Sequence, residues 1–94
     1  MVSKSYIIRS EESIDGSAKY VYRLIGSEAE ISSTVKVMLY SIEVEMNRNG
    51  SITSYKSGNL FLNKDKAERF FVKLIKNLAT PANLPYLIED SLVF

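Results

Sequence analysis

Histidine, cysteine and tryptophan are absent from this 94-residue chain, which also has only two prolines and four glycines. Each absence removes a chemistry. Without imidazole there is neither a Ser-His-Asp relay nor a histidine-ligated zinc site. Without thiols there is no cysteine nucleophile, thiolate metal site or disulfide. Gly16, Gly26, Gly50 and Gly58 stand too far apart for either phosphate-cradling fingerprint. None of the thirteen serines sits in a G-x-S-x-G elbow. The inventory predicts no enzyme: no catalytic, cofactor-binding or metal-ligating residues, and no cofactor. No apolar run approaches the ~20 residues that a membrane-crossing helix needs. The stretch Met1 to Arg9 lacks the pattern of a secretory signal, so a cytoplasmic location without membrane contact is expected.

What remains is the composition of one compact domain spanning residues 1–94, with 46% hydrophobic and 24% charged residues. Twelve basic and eleven acidic side chains leave a net charge of +1. Domains that hold nucleic acid through phosphates usually carry a clear basic excess, so the balance points elsewhere.

Asp15-Gly16 and Asn49-Gly50 separate segments rich in β-branched and aromatic residues, as tight hairpin turns do. The pattern predicts strands over about Ser5–Glu12, Ala18–Gly26, Thr34–Asn47 and Ser51–Ser57, with a polar loop over Ser27–Ser33. The fourth strand is poor in aliphatic residues, which suits a solvated edge. From Asn63 onward the period changes. Ala67, Phe70, Phe71, Leu74, Ile75 and Leu78 recur at helical spacing, and a helix is expected over 64–78, capped by Asn63. Thr80-Pro81 stops it, and a second helix is expected from about Leu84 to Ser91, although Pro85 lies close to its start. The fold class expected is α+β: a four-stranded antiparallel β-meander followed by two C-terminal helices packed on one sheet face.

Several clusters bear on function. Glu43 and Glu45 share a strand face and either share a cation or meet basic residues on neighbouring strands. Glu89 and Asp90 lie at the negative end of the last helix, where carboxylates are disfavoured, with Lys4, Arg9 and Arg23 as candidate counterions. Tyr20 and Tyr22 share a face, as either a stacking platform or part of the core. Lys66, Arg69, Lys73 and Lys76 fall within a narrow wedge of the helix, turned away from its phenylalanines. They form a candidate basic face that suits a phosphate backbone or an acidic protein, or simply the polar back of an amphipathic helix.

The third strand changes parity. Ile42, Val44 and Met46 are even-numbered, whereas Val35, Val37 and Leu39 are odd-numbered. A β-bulge near Tyr40-Ser41 would bring both sets to one side. A continuous strand would instead place Val35, Val37 and Leu39 on the sheet face that the helices leave uncovered. In that case they form a candidate interaction surface, joined by Val21 and Ile25 or by Ile7. The tail Leu92-Val93-Phe94 would then either fold back or reach a neighbour.

Tyr20–Ile25 (YVYRLI), Tyr40–Glu45 (YSIEVE) and Asn77–Leu92 (NLATPANLPYLIEDSL) together resemble a family of short proteins from clostridia and related Gram-positive bacteria, a domain of unknown function. Ser41 stands where that pattern has glycine, and Pro85 is an additional proline. The resemblance implies the same fold in a bacterial cytoplasm, with no activity, cofactor or catalytic residue attached. The function expected is a small non-enzymatic module that binds a protein partner or a second copy of itself. The alternative is a nucleic-acid-associated regulator using the basic face of helix 64–78.

Overall fold

The computed structural model describes residues 2–92. Four strands, β1 (Val2–Asp15), β2 (Ala18–Glu30), β3 (Lys36–Arg48) and β4 (Ser51–Lys56), form one antiparallel sheet in the order β1-β2-β3-β4. Two helices follow, α1 (Lys64–Lys76) and α2 (Leu84–Leu92).

Turn chemistry sets the meander. Asp15 pairs with Ala18, so the first hairpin loop is Gly16-Ser17, with Gly16 at φ 60°. Arg48 pairs with Ser51 across Asn49-Gly50, and both loop residues have positive φ, 53° and 82°. This is the two-residue turn whose twist matches that of its strands. Asn47 tightens it by accepting the Gly50 amide at 3.1 Å.

The expected polar loop over Ser27–Ser33 is mostly strand. β2 continues through Ser27, Glu28 and Ala29 to Glu30, in unbroken register with Lys36–Leu39 of β3. The chain reverses only at Ile31–Val35, where the Ile31 and Ser32 amides donate to the Val35 carbonyl. β1 is also longer than its apolar pattern suggests. Cross-strand pairing recruits Ser13 and Asp15, which carry little strand propensity, together with Ile14.

One side of the sheet carries the core. Ala18, Tyr20, Tyr22 and Leu24 of β2, with Tyr40, Ile42 and Val44 of β3, pack against Ala67, Phe70, Phe71 and Leu74 of α1 and Leu84 and Ile88 of α2. Tyr22, Leu24, Ile42 and Phe71 are fully buried. Each large apolar side chain so buried contributes about 1.5–3 kcal/mol. Arg9 reaches the same layer, with its guanidinium 5.7 Å from the Phe71 ring centroid.

Asn63 caps α1 by accepting the Lys66 amide at 3.1 Å. The helix closes at Lys76, two residues before the expected end at Leu78. Leu78 adopts φ 47°, its amide donates to Ile75 O, and the Ala79 amide donates to Leu74 O. This closing motif is usually built on glycine. Thr80 and Asn83 then cap each other: the Thr80 amide donates to Asn83 Oδ1 at 2.7 Å and the Asn83 amide to Thr80 Oγ1 at 3.2 Å. Pro85 is the second residue of α2, where an amide proton has no intrahelical acceptor, so proline costs nothing there.

Candidate functional site

Residues paired across a sheet project to the same side. The register therefore assigns the face opposite the helices, row by row. Ile14, Lys19, Asn47 and Ile52 form the first row; Glu12, Val21, Glu45 and Ser54 the second; Ser10, Arg23, Glu43 and Lys56 the third. Then come Ile7, Ile25 and Ser41; Ser5, Ser27 and Leu39; and finally Ala29 with Val37. β3 keeps its register from Lys36 to Arg48, so no bulge lies near Tyr40-Ser41 and the strand is continuous. Val37 and Leu39 consequently lie on the face away from the helices, whereas Val35 falls just before the strand, in the turn.

The bulge lies in β1 instead, between Ile7 and Arg9. It turns Ile8 and Arg9 together toward the helix side. Ile8 fills the space above Gly26, where an added Cβ would stand 2.6 Å from Ile8 Cδ1. Ile7 remains on the open face at 63% exposure.

Two chemical zones divide that open face. A polar belt crosses it, where Arg23 Nη1 lies 2.9 Å from Glu43 Oε1 and 3.6 Å from Glu45 Oε1, and Lys19 Nζ lies 3.3 Å from Glu12 Oε1. Glu43 and Glu45 thus meet a basic side chain on the neighbouring strand. Among the described residues no cluster of acidic groups is arranged to hold a metal ion. Beyond the belt lies an apolar zone built from Ile7, Ile25, Ala29, Val37 and Leu39. Ile25 is buried there although it stands outside the core cluster. The reverse side of the same arm carries Glu28, Glu30 and Lys36, with Met38 opposite Glu28 packed against the edge of the core. The β2–β3 hairpin end is therefore an amphipathic ribbon with its apolar side on the open face, and its turn carries exposed Ile31 and Val35.

The other clusters resolve differently. Tyr20 and Tyr22 stack on each other in the core, centroids 6.2 Å apart, and offer no platform for bases. The Tyr22 hydroxyl donates to Ala79 O at 2.8 Å, and burial, with a smaller contribution from Tyr20, pushes its pKa up to about 12. Arg9 pairs with Glu11 at 3.3 Å and Arg23 with the β3 acids, so neither serves Glu89. The Asp90 side chain and the tail residues Val93 and Phe94 lie outside the described parts.

Lys66, Arg69, Lys73 and Lys76 are all exposed on α1 and have no ion-pair partner among the described residues. An open depression of ≈ 860 Å³ along the flank of α1 beside β1 is lined by Arg69, Lys73 and Lys76, with Arg9 from β1. Asp65 and Glu68 share that lining and interrupt its positive potential. Arg9 is the residue that sequence reasoning did not join to this patch; only the β1 bulge brings it to the helix side.

Among the described residues no helix is long and apolar enough to cross a membrane. Comparison with curated proteins and with solved structures returns no significant match. The profile of DUF6514, a family of unknown function, matches residues 3–93, and the chain belongs to that family.

Proposed function

We propose that this protein is a non-enzymatic interaction module of the bacterial cytoplasm that docks a macromolecular partner on the open face of its sheet. One observation carries the proposal: Ile7, Ile25, Val37 and Leu39 gather on the face opposite the helices and outside the core cluster. An apolar zone rimmed by paired charges is what a contact surface needs, because its removal from water is favourable and the rim is already neutralised. The cysteine-free sequence permits a clean test. Val37→Cys and Leu39→Cys each introduce the only thiol. Labelling in dilute purified protein, compared with labelling inside cells at native expression, reports whether the face is covered. The proposal predicts ready labelling in dilute solution and protection in cells; equal labelling in both would overturn it.

A second reading, a nucleic-acid-associated regulator, is favoured by Lys66, Arg69, Lys73 and Lys76, which have no ion-pair partner among the described residues. It predicts salt-sensitive retention on DNA or RNA that is lost when these four become glutamine. Absence of retention at low salt would remove it.

A further inference from the structure

We infer that the occupant of the open face is a second copy of this chain, packed sheet against sheet about a two-fold axis, with the β2–β3 arm as the main grip. The inference rests on the docking role proposed above and adds the identity of the partner. Three features select a copy of the same chain.

The first is charge. The open face carries Glu12, Glu43 and Glu45 against Lys19, Arg23 and Lys56, so it has no net charge to select an acidic or basic partner. A two-fold interface sets each surface against itself and tolerates only a balanced one. Five of those groups, Arg23 with Glu43 and Glu45 and Lys19 with Glu12, bring partners from the same chain, whereas Lys56 has no ion-pair partner among the described residues. Covering these five buries each beside a counterion, which limits the desolvation cost, and Lys56, exposed on the short edge strand β4, can keep its amine in water.

The second is size. The molecule measures 49 × 31 × 17 Å, thin because one sheet carries one helical layer. Its 49 × 31 Å broad side comfortably exceeds the ~800 Å² per partner of a standard-size interface. Two such sheets packed about 10 Å apart would form a four-layer sandwich with the helices outside.

The third is the poor quality of the alternatives at the sheet edges. The outer edge of β1 is broken by two register shifts, and β4 has only six residues. Bulges and short strands are the usual devices against edge-to-edge pairing. The arm, by contrast, presents Ala29, Val37 and Leu39 on one side and Glu28, Glu30 and Lys36 on the other, where Met38 alone is apolar and packs against the core; among the described residues no helix covers the first side.

Sedimentation velocity over a concentration series tests this, with circular dichroism confirming the fold of each variant. The full chain should sediment at twice its 10.6 kDa monomer mass. Leu39→Glu should yield monomers, while Lys73→Glu on the helix side should remain dimeric. If Leu39→Glu misfolds, Leu39→Thr serves in its place, with dimer dissociation constant raised roughly tenfold or more. A wild-type chain that stays monomeric at high micromolar concentration overturns the inference, as does a dimer that survives the Leu39 substitutions unweakened. A monomeric wild type whose Val37 and Leu39 positions are still shielded in cells overturns the second copy alone. Unshielded positions overturn the docking role as well.

Discussion

The Tyr22 hydroxyl donates to the carbonyl of Ala79, 57 residues away, at 2.8 Å. This bond ties the central strand to the turn between the two helices, and both residues are fully buried. Tyr22→Phe leaves the Ala79 carbonyl without its partner inside the core. The expected cost is about 1–3 kcal/mol, read as a lower midpoint in urea unfolding with an unchanged slope.

The same tyrosine makes stability depend on alkaline pH. Its pKa rises from the ordinary 10.0 to about 12 in the folded chain, first through burial and then through Tyr20. The folded state therefore holds this proton more tightly than the unfolded state does. The contribution is complete below pH 10.0 and is lost as pH rises toward about 12. Unfolding midpoints measured across that window should fall more steeply for the wild type than for Tyr22→Phe.

Gly26 and Ile8 form a coupled pair. Alanine at Gly26 would place its Cβ 2.6 Å from Ile8 Cδ1, so that side chain must move. Gly26→Ala alone should destabilise by about 1 kcal/mol through overpacking. In an Ile8→Ala background the clash disappears, and Gly26→Ala should then stabilise by about 0.5–1 kcal/mol because glycine weakens a strand. A double-mutant cycle measures the change of sign.

Much of the fold was legible in local chemistry. Asn49-Gly50 marked its hairpin because both residues tolerate positive φ, and the recurrence of Ala67, Phe70, Phe71 and Leu74 marked α1. The misread segment, Ser27–Glu30, looks like a loop because Ser27, Glu28 and Glu30 carry no strand propensity of their own. It is held extended by register with β3. The parity change in β3 suggests a bulge there, yet β3 is regular: Met38, Tyr40, Ile42, Val44 and Met46 make its even face apolar throughout, and Val37 and Leu39 are apolar residues on the opposite face. The irregularity lies in β1, where Ile8 seats on a glycine of the neighbouring strand. That relation involves two strands at once and leaves no periodic trace in either. Val37 and Leu39 are identifiable from parity, with Val21 and Ile25 or Ile7 as alternatives to join them; the register brings in both Ile25 and Ile7, adds Ala29, and sets Val21 in the polar belt between Glu12 and Glu45.

Leu78 occupies a left-handed conformation, φ 47°, that costs an L-residue with a side chain about 1–2 kcal/mol. It is also 37% exposed, so little packing is lost when it is replaced. Leu78→Gly should stabilise the chain by about 1 kcal/mol, a rise of ~4–8 °C in Tm for a domain of this size. Leu78→Val should lower Tm, since β-branching worsens the same strain.

The docking role turns on whether Val37 and Leu39 support their own chain or await another. Thermal unfolding of the Val37→Thr, Leu39→Thr double variant in dilute solution decides between them. Outward-serving residues predict a stability within about 1 kcal/mol of wild type, as for surface substitutions. A loss of about 2–5 kcal/mol, the size that Leu24→Ala should produce in the core, would show that they hold the fold itself and would contradict the assignment.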